Sequence, residues 1–307
     1  MTTTAERVVA AAPASVRVRR RRRINVAAIL FALPALVAFA YFAWGPIVRG
    51  LLMSWQRTNL VDPPTWVGWS NFTYVLQNPV LGQAVVNTLW FIVLSVVMGF
   101  PIPLILAVLI SELRNRQLFL SLAFLPVVIP PVVGILLWKI FYDPSAQGLF
   151  NQLLSTVGIG PVPWLSDATL AMPALVLESV WAAAGNTMVI YVAALAGVRT
   201  ELYEAAELDG AGFFRRILTV TLPQLRGVIL VLLLLQLVGV AQVFAEPFLF
   251  TGGGPDNATV TVMLLVYRYA FVNGDFGAAS ALSVLLAVVL GALSLLYLRA
   301  TRRWSTS

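Results

Sequence analysis

The chain has 307 residues, 60% hydrophobic and only 11% charged, with a formal net charge of +7. Soluble globular domains carry about 25% charged residues, so this composition excludes an ordinary water-soluble domain. The chain contains no cysteine and no histidine, which removes disulfides, thiolate chemistry, histidine-metal sites and Ser-His catalysis.

Residues 1–23 read as a disordered basic tail ending in Arg19-Arg20-Arg21-Arg22-Arg23. The apolar stretch from Val26 to Trp44 is too long for a signal-peptide core and lacks a small-residue cleavage site, so it reads as an uncleaved first span. Further apolar runs fall at 85–110, 118–141, 170–197, 226–247 and 277–298, with the first at 26–48. Runs near 20 residues indicate transmembrane helices, whereas barrel strands alternate over about ten. The expected fold is all-α and integral to the membrane. It has six transmembrane helices in one domain over 24–304, and an amphipathic piece over 259–272 at the interface. Prolines at 101, 103, 126, 130, 131 and 173 are expected to bend the spans they occupy.

The arginines set the orientation. With the N-terminus in the cytoplasm, sixteen of the twenty basic residues are cytoplasmic, leaving Arg49, Arg57, Lys139 and Arg268 outside. Both termini are then cytoplasmic. The positive charge reports topology and implies no nucleic-acid partner. The external segment 57–84 carries Trp66, Trp69, Phe72 and Tyr74, which suit a boundary with lipid. Segment 142–168 reads as loop with a short helix, and Thr251-Gly252-Gly253-Gly254-Pro255 as a turn.

One cytoplasmic segment, 199–222, stands out. Four of the thirteen acidic residues, Glu201, Glu204, Glu207 and Asp209, fall within nine positions of it. Thr200 is expected to cap a short helix whose face bears Leu202, Ala205 and Ala206. Asp209-Gly210 stops that helix, with glycine free to adopt a positive φ. A second short helix is expected to place Phe213, Phe214 and Ile217 on one side and Arg215 and Arg216 on the other, with Pro223 opening the fifth span. The segment then forms a helix-turn-helix elbow.

Glu-Ala-Ala, three residues, Gly210, nine residues, then Val220-Thr221-Leu222-Pro223 resembles the signature of permease subunits of binding-protein-dependent ABC importers. Val220 stands where that family often has isoleucine, and Gly227 where a second proline is common. Trp66-Val67-Gly68-Trp69-Ser70-Asn71-Phe72 resembles the family's carbohydrate-type "GLxNY" segment, with Trp69 in place of leucine. Asn87-Thr88-Leu89 resembles the start of the next helix there, and Phe250-Thr251-Gly252-Gly253-Gly254-Pro255 its "LTxGGP" turn. The resemblance spans nearly all of residues 30–300 and points to the maltose and glycerol-phosphate permease group. It implies that Glu204, Ala205, Ala206, Asp209, Gly210, Phe213 and Phe214 form a coupling helix docking on a cytoplasmic ATPase. It also implies a second homologous permease, two cytoplasmic ATP-binding subunits, an extracytoplasmic solute-binding protein and a place in the bacterial inner membrane.

The only lysine, Lys139, lies in Leu-Leu-Trp-Lys-Ile-Phe, without the glycine or hydroxyl residue of a P-loop. This chain is therefore expected to bind no cofactor and to be no enzyme. ATP and magnesium are expected on the partner ATPase. Ionisable side chains inside spans cost roughly 2.5–3.5 kcal/mol each at a helix centre and ask for a reason. Glu178 and Glu246 are such residues. Together with Asn186, Gln236, Gln242, Trp181 and Tyr191 they supply hydrogen-bond groups and flat aromatic faces suited to a sugar. In the resembling permeases the sugar contacts lie on these two helices, which makes Asn186 and Gln236 the closest carry-overs. No metal site is expected. Alternatives are a permease for glycerol phosphate, an amino acid or a peptide, or a channel, although no filter-like repeat is visible.

Overall fold

A computed structural model describes residues 26–305, with side chains from Leu30 to Arg302. The tail over 1–23, expected to be disordered, lies outside the described residues. The chain divides into two units, one ending at Val48 and the other beginning at Arg49. α1 (Val26–Phe39) runs through a π-helical turn, Ala40–Trp44, into α2 (Gly45–Met53), within which the division falls. The Gly45 N–H bonds to the Ala40 carbonyl, five residues back. The wider turn immediately precedes Pro46, whose ring would clash with a carbonyl four residues back and cannot donate to it.

The second unit opens with a small hairpin, β1 (Gln56–Arg57) against β2 (Thr65–Trp66), and α3 (Ser70–Leu76). Buried Asn71 fastens them: its Nδ2 donates to the carbonyls of Ser54 and Gln56 at 3.0 and 2.9 Å. The second span is longer than expected. It comprises α4 (Pro79–Gly99) and α5 (Pro101–Ser111), joined at Phe100 and together 33 residues long.

The third span departs most from expectation. Instead of one bent helix over 118–141, α6 (Arg116–Val128) and α7 (Pro131–Phe141) meet at 95°. The cause is local. Ile129 and Pro130 each precede a proline and are pushed out of the helical region, with ψ of 126° and 134°. Neither Pro130 nor Pro131 can donate the N–H that would continue the helix. The described residues thus hold five helices of spanning length, and six spans if this pair counts as one.

Beyond α7, the short α8 (Leu149–Ser155) is held by Asn151. Its Nδ2 donates to the carbonyls of Asp143, Ser145 and Val162 at 3.1, 3.1 and 3.2 Å. Its Oδ1 accepts from the Val162 N–H and the Trp164 indole, both at 3.0 Å. Replacing Asn151 by alanine leaves several carbonyls of this loop without a donor, at roughly 1–3 kcal/mol. The expected result is faster proteolytic cleavage between Asp143 and Trp164 with the spans still protected.

The fourth span, α9 (Ala171–Leu195), is the central helix, packed against α4, α5, α6, α7 and α12. The chain continues through α10 (Thr200–Leu208) and α11 (Phe213–Arg216) to α12 (Leu222–Val240). Expected to run to 247, the fifth helix ends at Val240. Glu246 lies beyond it, at the entry to a π-helical turn, Pro247–Thr251.

Residues 259–272 were expected at the interface. They form α13 (Val262–Tyr267) and a further π turn, Arg268–Val272. Val262, Leu264, Leu265, Tyr269 and Ala270 are buried in the core, against Ala278, Ala279 and Leu282 of α14 (Phe276–Ser305). Polar ties draw this segment inward. Asn87 Nδ2 donates to the carbonyls of Asn257 and Val260 at 2.7 and 2.9 Å. Thr88 Oγ1 accepts the Val262 N–H at 3.0 Å.

Candidate functional site: an elbow and a cleft

The elbow is present, with two corrections. Thr200 is not the cap. It is the first helical residue of α10, preceded by Arg199 in an extended conformation, and no side chain caps the helix. The second helix is not separate either. α11 passes through a π turn, Ile217–Thr221, into α12 without interruption. The Leu222 N–H reaches back five residues to the Ile217 carbonyl, which makes room for Pro223 as the turn before Pro46 does for that proline. From Phe213 to Val240 the helix is 28 residues long, about 40 Å at 1.5 Å per residue.

Gly210 ends α10 as expected, with φ of +73°. The Gly210 N–H bonds to the Glu207 carbonyl at 2.9 Å, and the Ala211 N–H to the Ala206 carbonyl at 2.9 Å. These are the two bonds of a Schellman closure, which requires a left-handed residue at this position. Two contacts brace the elbow on its own span. Arg216 pairs with Glu207, and the Tyr203 hydroxyl lies 3.1 Å from Thr221 Oγ1.

The outward stripe of α10 carries Glu204, Ala205 and Leu208, spaced three and four apart, while Leu202, Tyr203 and Ala206 turn inward. Ala205 therefore leaves the face expected for it. Phe213 and Ile217 are half-buried, whereas Phe214 projects away from them. Leu208 and Phe214 are 91% and 79% exposed, an arrangement that buries neither large apolar side chain within this chain. Leu208 was missed at the level of sequence, although its i, i+4 relation to Glu204 is the signal that would have found it. Asp209 is exposed beside the cap.

The second feature is a cleft of about 240 Å³ between α4, α5, α9 and α12. Its polar lining is Ser95, Ser179, Thr187, Tyr191 and Gln236, on otherwise apolar walls. Gln236 Nε2 donates to the Ser95 carbonyl at 2.8 Å, which leaves its amide oxygen as an acceptor. The hydroxyls of Ser95 and Tyr191 are buried and have no hydrogen-bond partner. An unsatisfied buried hydroxyl costs about 1–3 kcal/mol, so two of them at one cleft mark a place for a hydroxyl-bearing ligand or water.

The expected substrate residues separate into groups. Gln236 and Tyr191 meet in the cleft. Asn186 lies on the same helix but is exposed and does not line it. Gln242 is exposed and bonds to the Val238 carbonyl at 2.9 Å. Glu178 and Trp181 lie elsewhere, both against Gly134 of α7, with the Trp181 ring 5.5 Å from that of Trp138, while Glu246 precedes the π-helical turn after α12. Ser95 and Ser179 were not among the sequence candidates, since a serine in a span carries no distinguishing signal of its own.

A multi-pass helical bundle with an exposed elbow built into one of its spans, and a polar-lined cleft between its helices, suits a membrane transport component. The chain belongs to the family of binding-protein-dependent transport system inner membrane components, whose profile matches residues 80–305. It is 34% identical to the probable ABC transporter permease protein YurN of Bacillus subtilis, over 88% of this chain and 94% of that protein. It is 31% identical to the trehalose/maltose transport system permease protein MalF of Thermococcus litoralis, over 89% and 92% of the two chains. A bacterial alginate ABC transporter, solved in complex with an alginate pentasaccharide-bound periplasmic protein, contains a chain of closely similar fold. The TM-score is 0.81 at 26% identity, over 92% of this chain and 96% of that one.

Proposed function

We propose that this chain is the permease subunit of an importer for a sugar or sugar-like solute, working by alternating access. Relatives named for trehalose and maltose and a fold shared with an alginate importer support the sugar reading. The observation that carries the mechanism is the continuity of the elbow with a wall of the cleft. A load on Leu208 and Phe214 passes through the Glu207–Arg216 brace into the helix from Phe213 to Val240. That helix carries Gln236 on the cleft. A rigid helix transmits such a displacement along its axis, so closure of a docked ATPase re-aims the cleft lining.

Two cytoplasmic ATP-binding subunits supply the work, since this sequence has no P-loop lysine. A second, homologous permease completes the pathway, because the exposed apolar faces of the spans require lipid or protein to cover them. The arginine bias places both termini and the elbow on the cytoplasmic side and the GGP turn outside, where a binding protein delivers solute. The test is co-expression of the chain with a candidate ATPase, partner permease and binding protein, followed by purification. Co-purification and sugar-dependent stimulation of ATP hydrolysis are expected; a chain that associates with no ATPase sinks the reading.

A further inference from the structure

The cleft between α4, α5, α9 and α12 is lined from three spans by polar atoms that the fold leaves unused. Ser95 of α4 and Tyr191 of α9 are 2% and 0% exposed, and neither hydroxyl has a hydrogen-bond partner among the described residues. Gln236 of α12 supplies the third. The Ser95 carbonyl can only accept, so the amide nitrogen turns to it at 2.8 Å and the amide oxygen is left over. Gly99 keeps the wall beside them open. A Cβ there would stand 3.0 Å from Gln236 Nε2 and 3.1 Å from Val180 Cγ2, so any larger residue would crowd the amide.

Size and chemistry narrow the occupant. A bridging water needs on the order of 10–30 Å³ and two to four polar partners, whereas the cleft offers about 240 Å³ on mostly apolar walls. Drug-sized ligands need more room, roughly 300–1,000 Å³. Between the two lies a single ring with hydroxyls on its edge and C–H groups on its faces. Each ring hydroxyl both donates and accepts, so such a ring satisfies Ser95, Tyr191 and the Gln236 oxygen together. Phe100 and Leu232 are among the apolar lining left for its C–H groups. No acidic or basic side chain lines the cleft. A carboxylate or phosphate entering it would lose its water and gain no counter-charge.

We infer, on the sugar-permease reading, that the cleft holds a single uncharged sugar ring and that the Ser95 and Tyr191 hydroxyls are its specificity-determining contacts. Gln236 rides on the helix fused to the elbow, whereas Ser95 and Tyr191 stand on other spans. Displacement of that helix separates the third contact from the first two and loosens the ring. The test titrates the full chain in lipid nanodiscs with glucose, galactose, xylose, arabinose and glucuronate by ligand-observed NMR. At least one neutral sugar is expected to bind saturably, about tenfold or more tighter than glucuronate. Tyr191→Phe and Ser95→Ala are each expected to weaken the best neutral binder about five- to tenfold, because a solute hydroxyl loses its partner. The unliganded variants are expected to unfold no lower than the wild type, since the deleted hydroxyls bond to nothing in the protein. Affinity within about twofold of the wild type in both variants overturns the inference. So does glucuronate binding as tightly as the neutral sugars, or a Tm that falls in step with affinity. If the wild type binds none of the sugars while they still stimulate ATP hydrolysis by the assembly, the cleft alone is overturned; loss of both overturns the sugar reading with it.

Discussion

Gly210→Val is expected to reduce sugar-dependent ATP hydrolysis and uptake to about a tenth or less, while the protein still inserts and keeps its helical content. The cause is backbone conformation alone, since a Cβ at Gly210 would meet nothing within 4 Å. Valine in the left-handed region at φ +73° is strained, and relief of that strain breaks the bonds from Gly210 to Glu207 and from Ala211 to Ala206. Phe213 and Phe214 then leave their places relative to α10. Asparagine tolerates the left-handed region, so Gly210→Asn is expected to retain most activity. The measurement is ATPase activity of the reconstituted assembly, paired with the amount of ATPase subunit that co-purifies. Normal coupling in the valine variant would show that the elbow's shape does not matter.

Gly185→Val is expected to have the largest effect on stability. Here space is the cause. A Cβ at Gly185 would lie 2.7 Å from the Ala123 carbonyl oxygen, 2.9 Å from Val127 Cγ2 and 3.1 Å from Phe124 Cα. Two of those atoms are backbone, which cannot rotate away, so α6 must separate from α9. Overpacking of this kind typically costs 1–3 kcal/mol, and the larger valine places the loss at roughly 3 kcal/mol or above. The check is thermal unfolding in detergent, with Gly239→Ala as control, because a Cβ at Gly239 meets nothing within 4 Å. An unchanged Tm for Gly185→Val would mean that α6 does not pack on α9 as closely as described.

These two glycines differ in how far they could be read in advance. Gly210 stands after Asp209 at the end of an amphipathic stretch, a local pattern that announces a helix stop. Gly185 sits in Ala-Ala-Ala-Gly-Asn within an apolar run, where nothing local says which neighbour comes close. The same divide runs through the third span. Pro126, Pro130 and Pro131 foretell a bend, but its 95° depends on which packing α6 and α7 each find on α9. It recurs in segment 259–272, whose amphipathic pattern suggests an interface. The bonds from Asn87 and Thr88, about 170 residues earlier in the chain, draw it into the core instead.

Chemistry divides in the same way. Glu178 looks costly in a sequence, but nothing local says what its carboxylate packs on. Folding sets it against Gly134 of α7 and beside Trp181. Gln236 was legible as a polar residue in a span, whereas its bond to the Ser95 carbonyl, and hence which of its atoms faces the cleft, was not. By itself the sequence determined the membrane class, the elbow and its glycine stop, the bias of positive charge and the lack of a P-loop. Each follows from residue composition or from spacing within a helical turn or two. Only the tertiary structure decided the depth of the third-span break, the fusion of the elbow to the fifth helix and the packing of Glu178 against α7. Those depend on contacts between residues far apart in the chain, which no local pattern encodes.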